Sequence, residues 1–383
     1  MTTRTVRIAL NGVTGRMGYR QHLTRSLLAI RADGGVALRD GSRVLPEVVL
    51  VGRDERKLAD IARRHDIGAY TTSLDEVLRD PSVEIYFDSL VTTEREKTLA
   101  RAIEAGKHIY TEKPTAMSLA GALQLATLAQ AAGIKHGVVQ DKLFLPGLIK
   151  LRSLLDSGFF GRVLAVRGEF GYWVFEGDWR PAQRPSWNYR KADGGGIVAD
   201  MFCHWRYVLD HVIAPVRAVT SRAVTHVPTR IDERGELYAA DADDAAYAIF
   251  ELDGGVVATM NSSWVTRVYR DELLTLQVDG TLGSAVAGLH GCAIQSRDAT
   301  PMPVWNPDEP TDEDFRSQWQ PVPQIGEPVN AFRRQWELFL AHVVDDTPFP
   351  WDLVEGAKGV QLAEAGLESS RTGRRIELPE VRA

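Results

Sequence analysis

Through the first third of the chain, short apolar runs alternate with stretches whose apolar positions recur every three to four residues. Val6–Leu10, Val48–Val51, Glu84–Phe87, His108–Tyr110 and Lys135–Val139 read as strands. Between them, Arg16–Arg31, Arg56–Arg64, Glu94–Ala105 and Ser118–Ala132 carry helical spacing. This alternation predicts a mostly parallel sheet with helices on both faces. Gly34-Gly35, Asp40-Gly41 and Pro46 mark Ala32–Pro46 as a turn-rich insertion.

After residue 145 the pattern changes. A helix over Pro146–Ser157 leads into a long strand, Val163–Tyr172. Ala245–Leu252 and Val256–Ser263 are strands joined by Asp253-Gly254-Gly255, a hairpin signal, and Glu272–Val278 follows. Strands without intervening helices predict a large, mainly antiparallel open sheet in an α+β unit. Residues 298–328 hold seven prolines among acidic residues and read as a surface loop; helices over Ala331–Val344 and Leu353–Arg371 close the chain. The expected division is residues 1–140 and 141–383, with the last helix, 353–371, packing back towards the first unit.

Composition narrows the function classes. The 383 residues are enough for two cores. Lysine and arginine total 45 against 51 acidic residues, a net charge of −6, which argues against nucleic-acid or anionic-membrane binding. Two cysteines, Cys203 and Cys292, are too few for a disulfide framework or a cysteine metal site. No continuous apolar run is long enough for a bilayer and no leader is visible, so the cytoplasm is the expected compartment.

Chemistry enters at the end of the first strand, where Gly12-Val13-Thr14-Gly15-Arg16-Met17-Gly18 opens a helix. Glycines there permit a tight turn and let a pyrophosphate approach backbone N–H groups at a helix N-terminus. This reads as a Rossmann dinucleotide site. An acid ending the second strand would bond the adenosine ribose hydroxyls and select NAD. Here that position holds Gly52, followed by Arg53, which can pair with a 2′-phosphate, and Asp54, which a shift of one residue would turn into the NAD acid. The reading leans to NADP over NAD.

Two further stretches carry candidate catalytic groups. In Ala105–Pro114 a short strand runs straight into Glu112-Lys113-Pro114, placing an ammonium group just past a strand's carboxyl end, where open α/β sheets bind ligands. Half out of water, such a lysine serves proton transfer; on a bare surface it is a turn neighbour. Gly194-Gly195-Gly196 then precedes Asp200 and His204, which share one helix face at i and i+4. They can form an acid/base pair or a helix-surface pair, and no third ligand makes a metal site. Just upstream, Tyr172, Trp173, Phe175, Trp179, Arg180, Trp187, Tyr189 and Arg190 offer flat rings and cations suited to a sugar, or core for the second unit. With Lys142, the cations Arg180 and Arg190 also allow a carboxylated, sulfonated or phosphorylated sugar.

Taken together, the glycine turn, the E-K-P corner and G-G-G-x-x-x-D-x-x-x-H resemble the Gfo/Idh/MocA family of sugar and inositol oxidoreductases. The likeness spans essentially the whole chain, including the Ser157-Gly158 helix end, the Asp253-Gly254 hairpin and the closing AEAGLESSRTGRRIELP. The resemblance implies hydride transfer between NAD(P) and a secondary alcohol or ketone of a sugar, sugar derivative or inositol. Lys113, Asp200 and His204 are its implied catalytic set, with substrate held between the domains over the nicotinamide, and Glu112, Lys113 and, near the nicotinamide ribose, Thr92 are expected cofactor contacts. It also implies a homodimer or homotetramer formed through the open sheet face. Two departures stand out: the family's T-P-N-x-x-H is replaced by Leu90-Val91-Thr92-Thr93-Glu94-Arg95, with Thr92 at the asparagine position, and Ala32–Pro46 is long. A glycosidase of the same fold that oxidises transiently, and a non-catalytic dinucleotide sensor, are the competing expectations.

Overall fold

The computed structural model describes residues 2–172, 177–302, 306, 308–310 and 313–383. The first sheet holds β1 (Thr3–Asn11), β2 (Val36–Ala37), β3 (Arg43–Val51), β4 (Ala69–Thr71), β5 (Val83–Asp88), β6 (His108–Thr111) and β7 (His136–Val138). Its parallel strands run β4-β3-β1-β5-β6-β7, and β2 lies antiparallel against the start of β3. The central strands are almost wholly apolar (Ile8, Leu10, Leu50, Ile85 and Phe87 are fully buried) because helices cover both faces. Carboxyl ends of β1, β3, β5 and β6 therefore open on one edge, the binding edge of a doubly wound sheet.

The expected insertion is largely strand. Arg43 to Val51 pairs in register with Thr3 to Asn11, placing Pro46 opposite Val6. Proline is tolerated because β2 stops pairing at Val44 and β4 starts at Val49, so no second neighbour asks for its N–H. The helix after the glycine turn begins as a π-helix, Gly18–Leu27, continuing as Leu28–Ala32. Such wide turns are uncommon and cluster at functional sites.

The second sheet has nine strands: β8 (Val163–Gly171), β9 (Val216–Val224), β12 (Ala245–Leu252), β13 (Val257–Ser263), β14 (Leu274–Gly280), β15 (Gly283–Ala287), β16 (Cys292–Ser296), β17 (Gln320–Pro321) and β18 (Ile376–Glu377). Between β9 and β12, a small separate hairpin is formed by β10 (Thr229–Ile231) and β11 (Leu237–Ala239). The large sheet's order is β17-β16-β15-β14-β8-β13-β12-β9-β18, and it is mixed: β8 and β13 run parallel while the other neighbours are antiparallel. Helix Ile197–Val208 lies on its inner face, burying Phe202 against Phe250 and Trp205 against Phe170.

Two C-terminal helices cross the expected boundary at 140/141. Helix Leu353–Thr372 contributes Leu353, Ala357 and Val360 to the core of the first sheet, and Leu362 and Ala365 to that of the second. Helix Ala331–Asp345, expected in the second unit, buries Trp336, Phe339 and Leu340 against the first sheet. Its apolar stripe is broad enough for either sheet, so spacing alone did not assign it. Among the described residues no helix is long and apolar enough to cross a membrane.

Candidate active site

The glycine turn is built to bring backbone close to a ligand. Gly12 sits at φ +86°, its N–H bonded to the Val51 carbonyl at 3.2 Å. A Cβ there would lie 2.8 Å from Ser89 Oγ, and one on Gly18 would lie 2.5 Å from the Gly12 carbonyl oxygen. Thr14, Gly15 and Arg16 are exposed at this edge, Met17 is half-buried, and Val13 turns its side chain into the core. The cradle thus fits a dinucleotide pyrophosphate, with Gly12 through Met17 around it. At the end of β3, Gly52 is buried against Leu58 and Thr14, leaving Arg53 exposed. Asp54 caps helix Glu55–Arg64, accepting from Lys57 N at 3.1 Å with Lys57 Nζ at 3.4 Å.

Lys113, expected at the strand's carboxyl end, lies just past β6 at a cis Lys113-Pro114 bond. Its ammonium bonds Asp200 Oδ1, and the Asp200 carbonyl at 3.0 Å. The sequence-distant E-K-P and D-x-x-x-H motifs are therefore in direct contact. Glu112 faces inward: Oε1 accepts from His22 Nε2 at 2.8 Å and Oε2 from the Lys113 amide at 3.2 Å. His22 Nδ1 accepts from the Trp336 indole at 3.0 Å, and because indole only donates, His22 is the neutral Nε2–H tautomer. Burial works against the Glu112 charge, but His22 and Lys113 hold its carboxyl below its ordinary range. Glu112, expected to meet the cofactor, is instead an internal brace for the lysine corner.

Arg184 supplies a second grip on Asp200. Its Nη1 donates to Asp200 Oδ2 at 2.9 Å and to Asn188 Oδ1 at 3.2 Å, with the guanidinium 4.9 Å from the Trp264 ring centre. Burial opposes ionisation of Asp200, yet Lys113 and Arg184 outweigh it and keep the carboxyl well below the usual range. The aspartate is a fixed anion, not a proton donor.

His204 behaves oppositely. Burial, reinforced by Lys113 and Lys142, pushes its imidazole well below the usual histidine value, so the ring is neutral at pH 7. Its Nδ1 meets Tyr207 Oη at 2.6 Å, and Tyr207 Oη lies 3.1 Å from Asp141 Oδ1. Lys142 Nζ lies 3.8 Å from Asp141 Oδ2; burial, aided by Lys113, lowers its pKa against the pull of Asp141.

The aromatic segment divides. Tyr172 stays at the site: burial raises its phenol, against Arg184 and against Arg16 of the glycine turn. Trp187 is half-buried in the turn Ser186–Tyr189, whose carbonyls lie where a Cβ on Gly195 would fall. Tyr189 is a correction: it is fully buried between the Arg230 guanidinium, 4.0 Å from its ring centre, and Trp264, leaving no face for a sugar. Trp179 and Arg180 stack on each other in solvent, and Arg190 stacks on Tyr238 at 4.4 Å. The cations gathered around Asp200 and His204 are Lys113, Lys142 and Arg184. Trp173 and Phe175 lie outside the described residues. Thr92, expected near the nicotinamide ribose, opens helix Thr92–Glu104 and is buried beside Gly194.

Comparison with known proteins identifies the family. Residues 6–139 match the model described as "Oxidoreductase family, NAD-binding Rossmann fold", and residues 148–286 match the GFO/IDH/MocA C-terminal domain. A D-xylose dehydrogenase of Paenarthrobacter nicotinovorans is 57% identical over 383 residues, covering 99% of each chain. A 1,5-anhydro-D-fructose reductase of Ensifer adhaerens is 28% identical over 263 residues, 67% of this chain and 70% of that protein. Levoglucosan dehydrogenase in complex with NADH and L-sorbose has the same fold, with TM-score 0.81 and 19% identity over 98% and 99% of the two chains. This chain belongs to the Gfo/Idh/MocA family of oxidoreductases and is an enzyme with an NAD-binding Rossmann domain.

Proposed function

We propose that this enzyme oxidises a CH–OH carbon of a sugar, D-xylose first among the candidates, in the cleft where residues 1–140 and 141–383 meet. The observation that carries the reading is the Lys113 ammonium held by the side chain and carbonyl of Asp200, on the helix that also carries the buried His204. A nicotinamide dinucleotide, when bound along the glycine turn, supplies the hydride acceptor. His204 takes the hydroxyl proton, and Lys113 donates a hydrogen bond to the same oxygen, stabilising alkoxide charge as the C–H bond breaks. Asp200, held by Arg184, keeps Lys113 in position. The 57% identity to a protein named D-xylose dehydrogenase supports a sugar, and the three site cations accommodate its hydroxyl rim.

The test mixes the protein with NADP or NAD and a panel of D-xylose, other neutral sugars, inositols, sugar acids and glycosides, following reduced-cofactor absorbance. Oxidation of D-xylose supports the reading. Silence across the panel, with cofactor retained from purification, overturns it in favour of transient oxidation by a glycosidase.

For the cofactor, the reading is NADP over NAD. Asp54 is committed as a helix cap and Arg53 stands exposed beside the closed Gly52 position. Losing a charge-assisted bond to a 2′-phosphate costs roughly 1.5–3 kcal/mol, so Arg53→Ala should weaken NADP about 10–100-fold and leave NAD nearly unchanged. An unaltered affinity ratio in titration would sink the idea. Assembly is proposed as a homodimer or homotetramer through the outer face of the second sheet, where Leu164, Tyr247, Ile249 and Val257 are exposed; sedimentation showing a monomer would remove it.

A further inference from the structure

Tyr207 and Asp141 were not singled out by their spacing, yet they complete the surroundings of His204. Tyr207 stands three residues beyond His204 on helix Ile197–Val208, and Asp141 opens the short turn Asp141–Phe144 after β7. The phenol oxygen has three neighbours: His204 Nδ1 at 2.6 Å, Asp141 Oδ1 at 3.1 Å and the Lys142 backbone N–H at 3.2 Å. It owns one proton and two lone pairs. The Lys142 N–H can only donate, so it takes one lone pair. The Asp141 carboxylate oxygen accepts the phenol's hydrogen bond, so it takes the proton. The remaining lone pair faces Nδ1, which must then carry a hydrogen. His204 Nε2 makes no hydrogen bond among the described residues.

We infer that Asp141 and Tyr207 are positioning residues that fix His204 as the Nδ1–H tautomer, leaving Nε2 as the bare nitrogen that receives the substrate proton. This rests on the proposed oxidation, with His204 as base. As Nε2 is protonated the ring becomes a cation, and the Tyr207–Asp141 chain passes part of that charge to a carboxylate, whose oxygen lies 3.8 Å from Nδ1. Charged groups facing this histidine are Lys113 from the E-K-P corner, Lys142 and Asp141 from the turn after β7, Asp200 from its own helix, and Arg184 from the aromatic segment. Glu112 acts on Tyr207 from the first sheet. The three cations disfavour imidazolium; Asp141 and Asp200 offset them.

The test is ¹⁵N NMR of the full chain with labelled histidine, with His204→Gln identifying the His204 signals. Wild type should show a protonated Nδ1 and a bare Nε2 at neutral pH. In Asp141→Ala the phenol proton turns to Nδ1 and the tautomer reverses; in Tyr207→Phe, which removes a single oxygen, the tautomer is no longer fixed. Both variants should lose about tenfold or more in kcat, a fraction of the roughly 10²–10⁴ that acid–base catalysis supplies, with KM within a few-fold. In Asp141→Ala the acidic limb of the kcat profile should move to lower pH, because the imidazolium has lost its carboxylate; in Tyr207→Phe that carboxylate stays, 3.8 Å from Nδ1. A bare Nδ1 in wild type, or an unchanged tautomer in Tyr207→Phe, overturns the inference. If no sugar is oxidised by wild type, it is the proposed reaction that fails, and the NMR still decides the tautomer. Should Asp141→Ala not fold, Tyr207→Phe alone carries the test.

Discussion

Replacing Lys113 with alanine is expected to lower turnover by at least roughly 10²–10⁴-fold while dinucleotide affinity stays close to wild type. In the proposed reaction the ammonium meets the developing alkoxide, and it is anchored by both the side chain and the carbonyl of Asp200. The proposed cofactor cradle, Gly12 through Met17, lies elsewhere, so it should survive the change. His204→Ala should show a loss of the same order by removing the proton acceptor. Two further variants separate charge from shape. Lys113→Met preserves packing and should be as slow as the alanine variant, whereas Lys113→Arg should recover only part of the rate, since a planar fork cannot reproduce a point charge. Steady-state kinetics with cofactor binding measured in parallel decides the matter. Near-wild-type turnover in both alanine variants would end the acid–base scheme.

Asp200 is central to that expectation because two cations share it. Arg184 would keep the carboxylate ionised after Lys113 is removed, so the variant should not gain a compensating proton donor at that position. Removing the Lys113 charge also relieves the His204 imidazole, so the acidic limb should move to higher pH. Asp141→Ala should move that limb the other way.

The parts of this site that were legible in the chain are those where local geometry dictates function. Gly12-Val13-Thr14-Gly15 follows a strand, Lys113 follows another, and Asp200 and His204 share a helix face; each relation is a matter of spacing within one element. Arg184, Asp141, Tyr207, His22 and Arg95 became visible only in three dimensions. Arg184 lies in an irregular segment with Arg180 and Arg190, and nothing in the order of residues says which arginine turns inward. Asp141 meets His204 from the short turn after β7, far from it in the sequence. Tyr207 did leave a trace, since Asp200, His204 and Tyr207 form a stripe at i, i+4 and i+7, which signals a continuous polar face on an otherwise apolar helix. In the fold, the alternating unit was readable because both faces of its sheet are covered. Helix Ala331–Asp345 was not, because an apolar face does not name its partner, and the choice fell to Trp336 meeting His22, Phe87 and Tyr110.

Arg95 carries the second large effect, on stability as well as rate. It occupies the final position of the altered Leu90–Arg95 segment, where the family commonly has histidine. Its side chain is almost fully buried, and Nε donates to Asp88 Oδ1 at 3.2 Å while the two Nη atoms bond the Pro114 and Leu90 carbonyls. Asp88, wholly buried, also accepts from Thr98 Oγ1 at 2.7 Å, Tyr86 Oη at 3.0 Å and Leu90 N at 3.0 Å. One guanidinium thereby ties the end of β5 to the corner that carries Lys113. Removing one partner of a buried ion pair typically costs 3–5 kcal/mol, because the other charge is left without compensation. Arg95→Ala should therefore lower the unfolding free energy by about 3–5 kcal/mol, read from the denaturant midpoint. Arg95→Ala,Asp88→Asn should recover part of this, since the neutral amide removes the stranded charge. Turnover in Arg95→Ala should fall while cofactor affinity holds, because the Pro114 carbonyl loses its tether and Lys113 its fixed approach to Asp200. Arg95→Lys should restore stability better than rate: one ammonium can neutralise Asp88 but cannot bond it, Leu90 and Pro114 in the same planar geometry. A variant that keeps the wild-type midpoint would show that the Asp88 network is satisfied without the arginine.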